Sequence, residues 1–271
     1  MSTIIAIANQ KGGVGKTEIA IHLTAALSRT NPNENYLLID LDPQGHATEG
    51  VGLKELYDKQ GPTLFEGLTQ TGVDVSTLIH KVPQESFYLL PSHYLMMTAE
   101  SSLNDSRMRR REYRLSDLLE EMAAAFDWII IDCPPNLGLL TDNAIIAAKR
   151  LVVPVQAEQT SVRALELLLD QIESLERELK FNVDILTLVP NLVQDSKLAR
   201  RILGGMRQNL PITDFAFPKR VILQEAYEAG RTIFTYEPER SKREDAIELQ
   251  GLYMQLAQLV REKGTASHDR S

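Results

Sequence analysis

The sequence has little of several features that mark whole classes of proteins. Cysteine occurs once, as Cys133, so the chain cannot form an internal disulfide or hold a metal through several of its own cysteines. The five histidines are scattered, without the spacing of a metal site. No stretch approaches the roughly 18 consecutive apolar residues that a membrane-spanning helix requires. These absences predict a protein without a membrane span, in a reducing compartment such as the cytoplasm.

Net positive charge is also lacking, because the 271 residues carry a formal charge of −8. The average hides an asymmetry between regions of the chain. Residues 197–243 contain ten Lys/Arg and five Asp/Glu, a net charge of +5, which leaves −13 for the remainder. Electrostatic attraction falls off within about 10 Å at moderate salt, so a local basic face on an acidic protein can still bind a polyanion.

Apolar runs alternate along the chain with segments of helical periodicity. Most of these runs are continuously apolar, which is typical of strands buried on both faces of a parallel sheet. Strands are predicted at 3–8, 36–40, 87–90, 128–132, 151–155, 183–189 and 213–217. Helices are predicted near 16–29, 54–58, 64–69, 95–102, 113–125, 138–149, 160–178, 196–209, 221–229 and 241–262.

This alternation predicts an α/β fold, with a mostly parallel, twisted sheet and helices on both faces, because parallel strands are joined by right-handed crossovers. No low-complexity linker divides the chain. Residues 1–262 are therefore expected to form a single domain, and the small, polar residues 263–271 a flexible tail.

Residues 11–17 form the most informative motif, Lys-Gly-Gly-Val-Gly-Lys-Thr. An apolar run precedes it and a helical pattern follows, and strand, glycine loop and helix together are the context of a phosphate-binding loop. The glycines allow backbone N–H groups to converge on anionic oxygens at a helix N-terminus. Lys16 is placed to reach the β- and γ-phosphates, and Thr17 to bind Mg²⁺ through its hydroxyl. We therefore predict a single-domain P-loop NTPase.

Lys11 is an additional lysine at the front of this loop, and two interpretations of it stay open. It can be an ordinary solvated loop lysine, which is the commonest environment of this residue type. It can instead reach a nucleotide held by a second subunit, where it would neutralise charge as an arginine finger supplied in trans does.

Two further apolar strands end in carboxylates. Asp40 and Asp42 close the run that begins at Tyr36, and side chains two residues apart point to the same side of an extended chain. Asp132 ends the run that begins at Trp128, as in a Walker B strand. Because ligands bind at the carboxyl ends of strands in such sheets, we expect all three near the phosphates, where they can hold Mg²⁺ through water or position an attacking water. The alternative for Asp40 and Asp42 is an ordinary strand-ending turn.

Taken in order, these motifs resemble those of the deviant Walker-box ATPases of the ParA/Soj family, which are related to MinD. The resemblance covers about residues 3–260 of the chain. It rests on the segments 11–17, 37–45 (Leu-Leu-Ile-Asp-Leu-Asp-Pro-Gln-Gly) and 130–135 (Ile-Ile-Asp-Cys-Pro-Pro), with support from 137–143, 152–156 and 217–226.

The resemblance implies an enzyme that uses ATP and Mg²⁺ and forms a sandwich homodimer when ATP binds. Lys11 matches the signature lysine that reaches the nucleotide of the second subunit. Asp42 matches the aspartate needed for hydrolysis in relatives, and Asp40 its companion near the metal. Thr17, Asp132 and Asp40 are the implied magnesium residues. The implied ATP-binding residues are Gly12, Gly13, Val14, Gly15, Lys16, Thr17, Glu18, Asn191 and Pro218.

Glu18 departs from the family pattern, because relatives commonly carry a second threonine at this position. A carboxylate in the first turn of a helix interacts favourably with the helix dipole, but here it lies close to an anionic ligand. The effect of Glu18 on nucleotide affinity therefore stays open.

ParA-like relatives bind DNA without sequence preference through basic residues near the dimer edge. The candidates here are Lys219, Arg220, Arg231, Arg240, Lys242 and Arg243. Such binding would be dominated by phosphate contacts and steeply salt-dependent. The alternative is a solvated helix surface, on which these charges pair with Glu237, Glu239 and Glu244. The arginine-rich segment 107–114 could face DNA, face a partner protein, or begin a solvated helix.

MinD-like relatives end in an amphipathic membrane helix, and this chain does not match them there. Its apolar residues between 249 and 260 form a core-facing stripe whose opposite face is rich in glutamine. A membrane-surface helix would instead carry lysine and arginine on that face, so no membrane partner is expected.

The resemblance thus implies a cytoplasmic, nucleoid-associated ATPase that partitions or positions a plasmid, a chromosome or a protein cargo. A ParB-like, centromere-binding partner would stimulate hydrolysis. One alternative is an ATPase of the MinD or iron–sulfur carrier class without DNA binding, although a cluster carrier needs interface cysteines that this chain lacks. The other is a nucleotide-gated binding module with little turnover.

Overall fold

The computed structural model describes residues 2–105, 110–194 and 196–266, and within them seven strands form one sheet. The strands are β1 (Thr3–Ile7), β2 (Tyr36–Asp40), β3 (His80–Lys81), β4 (Tyr88–Leu90), β5 (Trp128–Asp132), β6 (Arg150–Val155) and β7 (Asp184–Pro190). Their order is β3-β4-β2-β5-β1-β6-β7, and every neighbouring pair is parallel except β3 with β4. The predicted α/β fold with a mostly parallel sheet is therefore confirmed.

Helices connect the strands and cover the sheet. They are α1 (Lys16–Thr30), α2 (His46–Gly50), α3 (Leu64–Thr69), α4 (Ala99–Asp105), α5 (Arg114–Met122), α6 (Leu139–Ala148), α7 (Gln159–Leu179), α8 (Lys197–Arg207), α9 (Val221–Glu228) and α10 (Arg243–Ala266). Among the residues described, no helix combines the length and the apolar character needed to cross a membrane.

The central strands are buried because helices pack on both of their faces. In β2, Leu37 and Ile39 join the core that contains residues of α5, α6 and α7, whereas Leu38 joins the core that contains residues of α1 and α10. Successive strand residues point to opposite faces, so both sets must be apolar. This is the physical reason for the continuously apolar runs in the sequence.

The strand predicted at 213–217 is wrong. This segment runs beside β7 and joins it only through separate hydrogen bonds, which include Thr213 N–H to Leu188 O (3.0 Å) and Phe217 N–H to Pro190 O (2.8 Å). Isolated bridges replace a continuous ladder. A proline stands on either side of the segment, and proline cannot donate a ladder hydrogen bond.

The last helix, α10, continues to Ala266, four residues beyond the predicted boundary of the domain. Lys263 donates to Leu186 O at 2.8 Å. Gly264 packs so closely that an added Cβ would lie 3.3 Å from Thr3 Cγ2. Residues 263–266 are therefore helical, with Lys263 and Gly264 in contact with the rest of the domain, and the remainder of the predicted tail lies outside the described residues.

Arg261 fastens α10 to the connection between α1 and β2. Its guanidinium donates to both carboxylate oxygens of Glu34, from Nη1 at 2.7 Å and from Nη2 at 2.8 Å. The same guanidinium lies 5.1 Å from the centre of the Trp128 ring. Hydrogen bonding from Arg261 lowers the pKa of Glu34 from its ordinary value of 4.5 to about 2.

The first prediction concerns this ion pair. Because the pKa of Glu34 is depressed in the folded state, the stabilisation is present above pH 4.5 and is lost as the pH falls towards 2. Glu34→Gln should therefore reduce the free energy of unfolding at pH 7 by about 1 kcal/mol, with a difference that shrinks below pH 4.5. Denaturant unfolding across pH measures this, with the exposed Glu120→Gln as control. An equal loss at pH 3 and pH 7 would contradict it.

Candidate nucleotide-binding site

The loop between β1 and α1 folds around a buried lysine. Gly13 and Gly15 adopt left-handed backbone conformations, with φ of 71° and 84°, which glycine adopts without strain. Lys16, the first residue of α1, is only 6% exposed, and its Nζ lies 3.4 Å from the carbonyl oxygen of Lys11. The glycine turns thus bend the backbone over the ammonium group, as a phosphate-binding loop requires.

Two aspartates end neighbouring strands beside this loop. Asp40 of β2 and Asp132 of β5 are paired across the sheet and are completely buried. Asp40 Oδ2 accepts hydrogen bonds from the backbone N–H and the hydroxyl of Thr48, both at 2.7 Å. Within the described part of the chain, Asp40 Oδ1 and both oxygens of Asp132 lack a hydrogen-bond partner. Buried acceptors of this kind are satisfied by a cation, by water or by a ligand.

Burial shifts the charges of this group strongly. Desolvation, with a contribution from the neighbouring Asp42, raises the pKa of Asp40 to about 7. Desolvation and the charge of Asp40 raise the pKa of Asp132 well above its ordinary value, although the nearby Thr17 hydroxyl opposes this rise. Burial lowers the pKa of Lys16, and the charges of Asp132, Cys133 and Asp42 oppose that effect. Each charge is thus poorly solvated by itself, and added charges of the right sign would stabilise the group.

A magnesium ion fits the chemistry of these donors. The described residues contain no cluster of three or more His, Cys, Asp or Glu side chains arranged to enclose a metal. Mg²⁺ keeps several waters and is commonly bound by one or two carboxylates together with phosphate oxygens, so it does not need such a cluster. Thr17, Asp40 and Asp132 could hold such an ion through their oxygens or through water.

Asp42 lies in the turn that follows β2. Its Oδ1 accepts from the N–H of Gln44 at 2.9 Å, and its carbonyl oxygen accepts from the Ser92 hydroxyl at 2.6 Å. The residue is 6% exposed. The turn alternative is thus correct for the local backbone, and the same turn brings Asp42 to the carboxyl edge of the sheet near Lys16.

Lys11 lies on the rim of the loop, with its side chain 21% exposed. Its Nζ donates to Glu158 Oε2 at 2.5 Å and to the hydroxyl of Thr160 at 3.1 Å, and it lies 3.5 Å from that of Ser161. In this single chain, Lys11 is therefore not fully solvated, because its ammonium group is held by residues at the start of α7. Sequence reasoning missed Glu158, although an acidic residue before a predicted helix at the end of β6 was an available signal.

A cavity of about 460 Å³ opens beside the loop and is lined by Gly15, Thr17 and Glu18. Asn191 follows β7 and donates from Nδ2 to Val14 O at 3.0 Å. The structure therefore brings Glu18 and Asn191 together at the loop. Among the residues that line the cavity, Pro218 is absent, but its neighbours Lys219 and Arg220 are present, as is Arg231.

The six predicted DNA contacts do not form one uniform basic surface. Arg220 is paired with Asp245 at 3.2 Å and Glu248 at 2.8 Å, and Lys242 with Glu225. These two residues fit the alternative of a charge-paired surface, although with acidic partners other than those predicted. The other four predicted contacts are Lys219, Arg231, Arg240 and Arg243. In the parts of the chain that the structure describes, no acidic side chain lies within 4.0 Å of their charged groups.

The second basic cluster is partly structural. Arg114 donates to the carbonyl oxygens of Leu68 at 2.8 Å and Gln70 at 2.7 Å, and thereby holds the end of α3. Arg111 donates to Asn104 at 2.6 Å. The structure does not describe Arg107, Met108 and Arg109 of this cluster.

A glycine loop of this geometry between a parallel strand and a helix, beside two strand-ending aspartates, defines a P-loop NTPase. Residues 2–185 match the family model described as an AAA domain. The chain is 34% identical over 243 residues to the sporulation initiation inhibitor protein Soj of Bacillus subtilis (strain 168), over 88% of this chain and 92% of Soj. It is 34% identical over 239 residues to the chromosome partitioning protein ParA of Myxococcus xanthus, over 86% and 81% of the two chains. The chain belongs to the ParA/Soj family of the ParA/MinD superfamily.

Solved structures share the fold of this chain. Cobyrinic acid a,c-diamide synthase from Mycobacterium smegmatis, solved with an ATP analogue and magnesium, superimposes with a TM-score of 0.74 at 31% identity, over 84% of this chain and 92% of the synthase chain. Cyanothece McdA, solved in complex with ATP, gives a TM-score of 0.81 over 96% of both chains. At 24% identity, the McdA comparison supports the fold alone.

The second prediction concerns the support of Asp40. Thr48→Val removes a hydroxyl that donates to Asp40 Oδ2 and accepts from the N–H of Ser92 at 3.0 Å. Because buried polar groups are left unpaired, the free energy of unfolding should fall by roughly 1–3 kcal/mol. Urea unfolding measures the loss. Thr69→Val, which removes a helix-surface hydroxyl bonded to Phe65 O, is the matched control and should lose less unfolding free energy. Equal losses in the two variants would show that the hydrogen bond to Asp40 contributes no more to stability than a bond at the helix surface.

Proposed function

We propose that this protein is a magnesium-dependent ATPase that forms a sandwich dimer on ATP and binds DNA non-specifically as that dimer. Hydrolysis, stimulated by a ParB-like partner, would then release it and so position a cargo. The observation that carries the ATPase proposal is the buried group of Lys16, Asp40 and Asp132 beneath the glycine loop, with carboxylate oxygens that have no partner among the described residues. A bound nucleotide and its metal supply charges that this group lacks.

Each side chain has a defined task in this proposal. Lys16 binds the β- and γ-phosphate oxygens, and its ammonium already lies beneath the loop, 3.4 Å from the carbonyl oxygen of Lys11. When bound, Mg²⁺ neutralises phosphate charge, and Thr17, Asp40 and Asp132 would hold it. Asp42, at the edge of the sheet, is placed to orient the attacking water. The mycobacterial structure that contains an ATP analogue and magnesium supports this ligand choice.

Dimerisation would follow from an exchange of partners by Lys11. Its present contact with Glu158 lies at the surface, because the Glu158 side chain is 60% exposed, so the ion pair contributes little stability. A nucleotide triphosphate held by a second subunit carries a much higher negative charge than the single carboxylate of Glu158. Lys11 can therefore leave Glu158 for that nucleotide at small cost, and the dimer would form only when ATP is present.

DNA binding would use the basic residues that lack acidic partners. Arg243 is the first residue of α10, Arg240 lies in the short 3-10 turn just before it, and Lys219 lines the cavity. A face of this kind binds phosphates rather than bases, so affinity should fall steeply with salt. The similar ParA of Myxococcus xanthus is named for chromosome partitioning, which supports a DNA-related task for this protein.

A second candidate is a nucleotide-gated positioning protein that does not bind DNA. The pairing of Arg220 with Asp245 and Glu248, and of Lys242 with Glu225, favours it, because these pairs neutralise two of the six predicted contacts. The two candidates share the ATP site and differ only in the partner of the basic face.

The third prediction separates the two lysines of the loop. Lys11→Ala should bind ATP normally through Lys16 but lose ATP-dependent dimerisation, and hydrolysis should fall at least tenfold, because a cation supplied in trans is lost. Light scattering with and without ATP and phosphate release measure these effects. Lys59→Ala, at another exposed loop lysine, is the control. Normal dimerisation of Lys11→Ala would show that Lys11 is an ordinary surface lysine with no role in the dimer.

The fourth prediction tests DNA binding directly. Retention of the protein on non-specific DNA should require ATP, be absent with ADP, and weaken steeply across a salt series. The double reversal Arg240→Glu with Arg243→Glu should lower the salt slope by roughly 1 for each lost phosphate contact, with ATP binding unchanged.

Arg163→Glu, an exposed arginine on α7, is the control for this reversal. Retention that is independent of ATP or insensitive to salt would contradict the DNA-gated mechanism and favour the second candidate.

A further inference from the structure

Asn9 lies between the end of β1 and the glycine loop, and its side chain joins the loop to β6. The residue is only 2% exposed. Its Nδ2 donates to the carbonyl oxygen of Pro154 at 2.7 Å, and its Oδ1 accepts from the backbone N–H of Lys11 at 2.9 Å. One buried amide thus connects the first residue of the loop motif to a strand 145 residues away in the sequence.

These two contacts leave the Asn9 amide a single orientation. The carbonyl of Pro154 can only accept a hydrogen bond, and the backbone N–H of Lys11 can only donate one. The amide nitrogen must therefore face Pro154 and the amide oxygen must face Lys11, since the flipped amide would break both bonds. Both donor–acceptor distances lie in the normal range, so the amide is a well-defined link between strand and loop.

The side chain of Asn9 extends the pairing of β1 with β6 beyond the strand itself. In the ladder, Ile7 lies opposite Val152, and the N–H of Ala8 donates to Val152 O at 3.4 Å. The chain then turns into the glycine loop, and the amide of Asn9 supplies the donor for Pro154 O, two residues further along β6. A side-chain hydrogen bond therefore takes the place of a ladder bond and holds the start of the loop against the sheet.

Lys11 is consequently fixed from both ends by one stretch of the chain, residues 154–161. Its backbone N–H is held through Asn9 by β6, and its Nζ lies within 3.5 Å of three side-chain oxygens at the start of α7. The stem of a lysine side chain is flexible. The region that its ammonium group can reach is therefore set by the backbone from which the stem extends, and Asn9 fixes that backbone.

We propose that Asn9 is the positioning residue of Lys11, and that its amide holds the loop backbone so that the lysine can reach the nucleotide of a second subunit. This proposal rests on the proposed function, in which Lys11 neutralises charge in trans. Placement matters for such a group, because a misplacement of about 1 Å can lower a rate on the order of a hundredfold. Asn9 acts only through Lys11, and Lys16 holds the phosphates without it.

The test is a double-mutant cycle on phosphate release from ATP by the wild type, Asn9→Ala, Lys11→Ala and the double variant. Asn9→Ala should lower the rate at saturating ATP roughly tenfold and change ATP affinity by less than about threefold, because Lys16 stays in place. In the Lys11→Ala background, the same substitution should change the residual rate by less than about twofold, because the side chain through which Asn9 acts is already absent.

Asn143→Ala is the matched control. Asn143 is completely buried, and its amide likewise links two segments, since Oδ1 accepts from the N–H of Leu115 at 3.0 Å and Nδ2 donates to Leu139 O at 2.8 Å. Thermal unfolding should show a comparable loss of stability, whereas phosphate release should stay within about twofold of the wild type. A second cycle uses Asn9→Ser, a milder change that loses the donor to Pro154 O, in case Asn9→Ala does not fold.

The cycle separates positioning from a purely structural effect. A loss of rate by the same factor in both backgrounds would show that Asn9 only supports the fold, and would overturn the proposal. An unchanged rate in the Asn9 variants, or an equal loss in Asn143→Ala, would also overturn it. A wild type that releases no phosphate, or a Lys11→Ala variant as active as the wild type, would instead refute the proposed function, so the two failures are distinguishable.

Discussion

Burial of charge at the carboxyl edge of the central strands is the constraint on which the rest of the structure depends. Lys16, Asp40 and Asp132 are almost completely removed from water, and no described residue satisfies all of the carboxylate oxygens. Such an arrangement is unfavourable by itself, since desolvated charges are poorly stabilised. The sheet on which β1, β2 and β5 are fixed side by side supplies the stability that keeps these charges in place. A site held this way is organised for an ionic ligand before that ligand arrives.

The contacts around this charged group connect the loop to distant parts of the chain. Thr48 on α2 supports Asp40, and Asn191 after β7 packs against the loop backbone. Glu158 at the start of α7 holds Lys11. Asn191 and Glu158, which are more than a hundred residues away in the sequence, therefore contact the glycine-rich loop directly. A ligand bound in the site would change the surroundings of these contact residues. Such a coupling is what a nucleotide-dependent change of partner requires.

Patterns that depend on local chemistry could be predicted from the sequence. The glycine motif before α1 and the apolar runs that end in Asp40 and Asp132 indicated the class of fold, because burial on both sheet faces and phosphate binding each demand particular residue types. The strand predicted at 213–217 failed, since its apolar residues pack against β7 without forming a ladder. Hydrophobicity reports burial, whereas a strand also requires a partner with matching hydrogen bonds.

The sequence by itself determined the α/β fold, the loop that begins at Lys11 and the carboxylates at the ends of two strands. Only the tertiary structure decided that Lys11 pairs with Glu158, that Arg220 and Lys242 are neutralised, and that Glu18 holds the amide of Asn191. The physical reason is the distance along the sequence over which each kind of interaction acts. Backbone preference and amphipathic periodicity are set by neighbouring residues, whereas an ion pair or a hydrogen bond between side chains forms wherever the packed chain places them.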